Sequence, residues 1–395
     1  MEGETLPADQ DVPRDDNKPR ECECNAEDGS LVSMDWFPDD LLEQILACLP
    51  FADLVRAGVV CTRWRRIINS ETFRKKLLHG VSHRPWFVLH GFLGQPACAY
   101  DPVHNVWCEL KLPRFEFSLY SSILGFASST GLICVYGKSE GGIGQLCVCN
   151  PLTRICRHIA PAPSVESQLF ATLAISVSRT TPSYRVSLVT SKIPPGIQVG
   201  YELSIHLYDS ETRMWKTCMT EYMRIWRCCN ESAICDGVLY FLIISPSTAS
   251  RENRYGLVMY DLSGRCSNDL LASFVPVPRP HGYGRLMNMK EKLVLVMDID
   301  RYNGVGIWVL NGREWREIAR SPDDYFPGLG SNAWLRSCGL NDLIYIWSGD
   351  GHDHPSPYIA TFDMNQKQWS RNNLATVPSQ DYKGFCFEPQ LDIVP

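Results

Sequence analysis

A segment of about fifty residues recurs along most of this 395-residue chain. That repetition limits the possible folds more than any other feature. Each copy is a short apolar run, then Asp or Asn, then a large apolar residue six positions later. The copies begin at Tyr100, Cys149, Tyr208, Tyr260, Trp308 and Phe362. Their anchors are Asp101, Asn150, Asp209, Asp261, Val309 and Asp363, spaced 49, 59, 52, 48 and 54 residues apart. Four copies place Trp at the sixth following position: Trp107, Trp215, Trp315 and Trp369. Val309 breaks the Asp position and Ser267 the Trp position.

The pattern has a mechanical reading. Asp or Asn followed by Pro, Thr, Asn or Gly makes a tight turn between two strands. The Trp then opens the next strand and fills space between neighbouring sheets. Runs such as Leu132–Gly137, Val238–Ile244 and Lys292–Asp298 supply further strands between Gly, Pro, Asn and Asp turns. Four short strands per fifty-residue unit form a β-propeller blade. The expected class is therefore mainly β: a six-bladed propeller over residues 85–391, preceded by a short helical unit. On its YDP-type turn and following Trp the repeat resembles the kelch type, although the double glycine usual there is mostly missing. The first blade has expected strands at Trp86–His90, Ala97–Tyr100 and Cys108–Leu112, and no inner strand. Gly384–Leu391 has strand composition and is expected to close the ring, which removes exposed sheet edges.

Residues 34–80 have a helical texture instead. Two Asp residues after Phe37-Pro38 suit a helix N-terminus. Leu42, Ile45, Leu46 and Leu49 follow at helical spacing, and Pro50 stops the run. Further helices are expected near Ala52–Val60 and Thr62–Ser70. Leu41 and Cys48 widen the apolar surface beyond one stripe. Three short helices are too small a core for stability alone, so the surplus implies a partner. The order Phe37-Pro38, Leu41-Leu42, Ile45-Leu46, Leu49-Pro50, Val60-Cys61, Trp64 and Phe73 closely resembles the F-box. The resemblance implies that Phe37, Pro38, Leu41, Leu42, Ile45, Leu49, Val60, Cys61 and Trp64 contact a Skp-family adaptor, which links to a cullin and a RING protein. At each apolar position two fates are open, domain core or interface.

An F-box ahead of a degenerate kelch propeller resembles the plant F-box/kelch-repeat proteins. The resemblance implies a non-enzymatic substrate receptor of an SCF-type ubiquitin ligase, in which the propeller binds a protein substrate. Two other classes fit the same chain: a scaffold that binds the adaptor without degrading anything, and a propeller lectin or enzyme.

The formal net charge is -6, and residues 1–30 hold ten acidic residues against three basic ones. An acidic chain argues against a nucleic-acid partner. Residues 1–33 lack an aliphatic pattern and read as a disordered tail. No apolar stretch is long enough for a membrane span, and no secretory signal is visible. The 17 cysteines, many inside apolar runs (Cys134, Cys147, Cys149, Cys235), then read as small buried hydrophobes in the reducing cytoplasm or nucleus. No cofactor or metal is expected. Cys22-Glu23-Cys24 lacks a second ligand pair, Gly349–Pro355 alternates His and Asp as solvated turns do, and Glu140–Gly144 is a strand-connecting turn without a phosphate-binding lysine. Adjacent Cys228 and Cys229 point to opposite faces of a strand.

In an antiparallel blade, connections alternate between two faces. Short turns such as Asp236-Gly237 and Asn311-Gly312 share one. The links between blades, and between second and third strands, share the other; they are long and rich in Arg and aromatics. The stretches at 114–120, 221–227, 279–285 and 323–328 nominate Tyr120, Arg224, Trp226, Tyr283, Arg285 and Tyr325 as substrate-binding residues.

Overall fold

The computed structural model describes residues 37–49, 51–73, 84–91, 97–110, 112, 123–138, 144–163, 170–178, 181, 183–197, 199–246, 254–263, 270, 273–278, 284–299, 304–323, 325–326, 334–349, 358–373, 382–391 and 393–395. Expectations for the acidic tail, for Cys22 and Cys24, for Tyr120 and Tyr283, and for most of 139–143 and 350–355 lie outside these residues.

The chain starts with α1 (Asp39–Ala47), α2 (Phe51–Ala57) and α3 (Thr62–Ile68). Asp39 and Asp40 occupy the first turn of α1, where the helix dipole favours carboxylates. Asp39 also accepts hydrogen bonds from Arg63 Nε at 2.8 Å and from Arg66 at 3.4 Å, tying α1 to α3. The second helix ends earlier than the expected Val60. The Val59 and Val60 amides bond three residues back instead, to Arg56 and Ala57, which tightens and stops the helix. Cys61 then caps α3, its Sγ accepting from the Trp64 amide at 3.4 Å.

Apart from a helical turn at residues 71–73, the remaining regular elements among the described residues are strands, in six four-stranded antiparallel sheets. Blade 1 holds β1 (Trp86–Gly91), β2 (Ala97–Asp101) and β3 (Val106–Leu110). Blade 2 is β4 (Ile123–Ser129), β5 (Leu132–Lys138), β6 (Gly144–Cys149) and β7 (Cys156–Ile159). Blade 3 is β8 (Phe170–Val177), β9 (Tyr184–Lys192), β10 (Tyr201–Asp209) and β11 (Met214–Met223). Blade 4 is β12 (Arg227–Cys235), β13 (Val238–Ile244), β14 (Tyr255–Asp261) and the two-residue β15 (Val275–Pro276). Blade 5 is β16 (Gly284–Met289), β17 (Lys292–Asp298), β18 (Val305–Asn311) and β19 (Glu314–Arg320). Blade 6 is β20 (Trp334–Leu340), β21 (Leu343–Gly349), β22 (Tyr358–Asp363) and β23 (Gln368–Asn373). The last strand, β24 (Tyr382–Phe387), returns to blade 1 and pairs with β1 from Trp86↔Phe387 to Gly91↔Tyr382. The six-bladed, C-terminally closed propeller is thus observed. The fourth strand of blade 1 begins at Val106, two residues before the expected Cys108, because the turn after Asp101 needs only four residues.

The repeat's Asp or Asn has one job in five blades. Its Oδ1 accepts the amide two residues on: Asp101 from Val103, Asn150 from Leu152, Asp209 from Glu211, Asp261 from Ser263 and Asp363 from Asn365, at 2.7–3.0 Å. In four of them the residue four beyond the anchor is left-handed: Asn105, Arg154, Arg213 and Lys367, with φ of 54–58°. The second oxygen is then free for a local partner. Asp101 uses it for His104, Asp209 for Arg185 and Asp363 for Arg84. Val309 lacks the carboxylate because blade 5 turns differently. Gly312, at φ 59°, and Arg313 form a two-residue turn between Asn311 and Glu314.

In blades 1, 2, 3 and 6 the residue before the anchor stands opposite the residue six beyond it. Tyr100 pairs with Trp107, Tyr208 with Trp215 and Phe362 with Trp369, with ring centroids 4.9–5.5 Å apart. These Trp side chains pack into the clusters between blades. In blade 2 the same two positions hold Cys149 and Cys156.

The linker and the C-terminal tail both meet the short-turn face. Arg84 pairs with Asp363 at 3.4 Å, and the Tyr345 hydroxyl donates to the Pro85 carbonyl at 2.9 Å. Beyond β24, the buried Asn150 amide donates to the carbonyls of Gln390 and Ile393 at 2.8 and 2.9 Å. That double donation explains Asn rather than Asp at this anchor. The helical core is continuous with blades 1 and 2, so the two parts share one apolar cluster.

Candidate interaction surfaces

The helical unit presents two apolar stripes on α1. Leu42 and Leu46 face inward, 1% and 0% exposed, against Leu54, Ala57, Ile67, Ile68 and Phe73. Leu41 and Ile45 face outward, each 45% exposed, and Val59 and Val60 beside α3 are 73% and 64% exposed. Pro38 and Cys61 are exposed, Phe37, Leu49 and Trp64 half-buried, with Leu49 and Trp64 packed on the core. Leu42, expected at the adaptor surface, is therefore a core residue: its position one residue past Leu41 turns it about 100° round the helix, into the domain. Val59 is the surface residue the sequence reading missed. Its place beside Val60 was the available signal.

The inner strands β24, β4, β8, β12, β16 and β20 stand side by side around the axis and line a central channel of about 390 Å³. Side chains bridge neighbouring inner strands: Thr172 to Ser232 at 2.8 Å, and Asn288 to the Ile234 carbonyl at 2.7 Å. Arg285 lies here, ion-paired with Glu231 of the preceding blade. Burial raises the Glu231 carboxyl above its ordinary range, and the Arg285 guanidinium and the Leu286 amide act against that rise. Arg285 is thus a channel residue rather than a loop residue.

The other nominated residues separate. Trp226 is half-buried with its ring 5.4 Å from that of Phe274, and Tyr325 meets Trp369 edge-on at 5.9 Å. Both pack within the propeller, since a large ring beside a gap between sheets gains more by filling it than by staying in water. Arg224 is exposed as expected. The expected long loop at 221–227 is in fact a three-residue link, because β11 runs to Met223 and β12 starts at Arg227.

A ridge on the blade-link face was not anticipated. The connection from β9 to β10 exposes Ile193, Ile197 and Val199, and the neighbouring end of β11 adds Tyr222 and Ile225. The Tyr222 hydroxyl donates to the Val199 carbonyl at 2.5 Å. Gly200, at φ 116°, makes this possible: a Cβ there would stand 2.2 Å from the Tyr222 oxygen. The ridge and Arg224 form one apolar and basic surface, on the face away from the linker.

Comparison with known proteins adds to this geometry. Residues 34–76 match the F-box domain, and residues 111–321 match the β-propeller of F-box proteins like At3g26010. The chain is 39% identical to the F-box/kelch-repeat protein At3g61590 of Arabidopsis thaliana, over 94% of this chain and 93% of that protein. It is 26% identical to F-box only protein 6 of the same plant, over 89% of this chain and 72% of that protein. A shorter match, 31% identical over 36% of this chain and 42% of the other, is to Arabidopsis SKP1-interacting partner 15.

Proposed function

Because the chain belongs to the plant F-box/kelch-repeat family, we propose that it is the substrate receptor of an SCF-type cullin–RING ubiquitin ligase in the cytoplasm or nucleus. The observation that carries this reading is the second apolar stripe. Leu41, Ile45, Val59 and Val60 stay in solvent beside Pro38 and Cys61, on a domain whose own core is already filled by Leu42 and Leu46. A Skp-family adaptor covering that surface would bury several aliphatic side chains, each contributing up to about 1.5–3 kcal/mol. The match to a SKP1-interacting protein supports the same partner.

The propeller serves as the substrate platform. Its linker and tail occupy the short-turn face, leaving the blade-link face with the blade 3 ridge for a protein substrate. Adaptor and substrate then sit on separate surfaces, as a receptor requires. Ubiquitin transfer itself belongs to other subunits, and no residue of this chain is given a catalytic role.

The test is co-precipitation with a Skp-family adaptor. Leu41→Ala with Ile45→Ala should remove adaptor capture and leave the fold intact. Arg224→Glu with Tyr222→Ala should leave adaptor capture unchanged and lower recovery of substrates that accumulate under proteasome inhibition. Full adaptor capture by the first variant sinks the assignment.

A further inference from the structure

Blade 2 departs from its neighbours at one place. Where blades 1, 3 and 6 oppose Tyr or Phe to Trp, it opposes Cys149 to Cys156. Cys147 lies two residues before Cys149 on β6, and strand geometry puts the two on one face. Cys156, directly across from Cys149, shares that face. The three Sγ atoms lie within 4.8 Å of one another. Four thiolates around zinc at about 2.3 Å stand about 3.8 Å apart, so these sulfurs need only sub-ångström shifts to share one ion.

We propose that Cys147, Cys149 and Cys156 form a binding site for a soft, thiophilic d10 cation, zinc(II) foremost, between blades 1 and 2. The spacing is Cys-x-Cys on one strand and a single Cys across the Asn150 turn. Binding exchanges the thiol protons for the ion, so protons leave as metal enters. Cys147 and Cys149 are fully buried, and half-buried Cys156 opens the path from solvent. The fourth position lies toward that opening. It is taken by water or by the exposed imidazole of His158, which stands opposite Cys147 on β7. Such an ion would hold β6 to β7 and stiffen the part of the propeller whose apolar cluster continues into the helical unit.

The test uses the full chain under a non-thiol reductant, titrated with cobalt(II) and then zinc(II). One cobalt per chain should give thiolate-to-metal charge-transfer absorption in the near ultraviolet, and zinc should displace it. Cys156→Ser and Cys147→Ser should each weaken zinc affinity by at least about a hundredfold, while Cys338→Ser, at the junction of blades 6 and 1, should change nothing. Zinc should raise the melting temperature of the parent chain and not that of Cys156→Ser, whose half-buried position keeps the metal-free fold as a control. His158→Ala separates the two fourth ligands: a loss of about tenfold assigns imidazole, an unchanged affinity assigns water. Absence of charge-transfer absorption in the parent chain overturns the site, as does an unchanged metal affinity in Cys156→Ser.

Discussion

The three short helices leave Leu41, Ile45, Val59 and Val60 in solvent, while among the described residues of the much larger propeller the exposed large apolar side chains cluster only along the blade 3 ridge, the others lying scattered. The difference follows from closure. A propeller ring has a neighbour for both faces of every sheet, so each blade's apolar side chains are covered by the next blade. Three short helices have no such ring. After Leu42, Leu46, Ile67 and Phe73 fill their core, any further apolar residue must find a second molecule. Excess apolar surface is thus informative in the helical unit and on the ridge, and much less so elsewhere.

The sharpest way to break this contrast is to open the ring. Removing residues from Tyr382 onward takes away β24, bares the edge of β1 and uncovers Trp86, whose ring meets that of Phe387. The truncated chain should aggregate on expression, because unpaired edges template association. A soluble product melting with the full chain would show that the ring does not depend on its last strand.

A smaller effect separates the two stripes of α1. Leu42→Ala should cost about 2–5 kcal/mol of stability through the cavity it leaves, read as an earlier unfolding transition of the helical unit. Ile45→Ala should change that transition little and instead weaken adaptor binding by on the order of 2–4 kcal/mol, measured by calorimetry. Equal effects of both on unfolding would erase the distinction between inner and outer stripe.

This division was not legible in the sequence. Leu41, Leu42, Ile45 and Leu46 are apolar on both sides of the helix, and periodicity cannot say which side meets the core. The blades were legible because their signal is local: an Asp at one position, an amide two residues on, an aromatic pair seven apart. Arg285 was misplaced for the opposite reason. Its partner Glu231 is 54 residues away on another blade, and no local pattern announces it. The thiol trio lay between these cases. The Asn150 turn sets the register that pairs Cys149 with Cys156, so the repeat, read through, would have brought them together.

The turns allow two finer tests. Asn150→Asp keeps the turn acceptor and loses both donations to the tail, leaving a buried carboxylate facing two carbonyls. It should cost about 1–3 kcal/mol and speed proteolysis of the last residues. Asp209→Asn, the reverse change, loses only the exposed pairing with Arg185 and should cost less than about 1 kcal/mol. The smallest change expected is a gain. Arg213 holds φ 56°, a region that costs a non-glycine residue about 1–2 kcal/mol. Arg213→Gly should raise the melting point slightly, offset by the freer unfolded chain; a fall would mean that the arginine side chain supports the turn in some other way.

The pairing of β1 with β24 also sets an order of events during synthesis. The helical unit and the first three strands leave the ribosome early, yet β1 meets its partner only after about 290 further residues have been made. At 5–20 residues per second that delay is roughly 15–60 s. Throughout it, the helical unit proposed to take the adaptor can already be finished while the propeller proposed to take the substrate is still an open arc. On the proposed function, a nascent chain of this kind would be able to enter a ligase before it could recognise anything. A reading frame broken before Tyr382 would make the open arc permanent, and its bare β1 edge would then send the chain toward aggregation rather than toward a substrate.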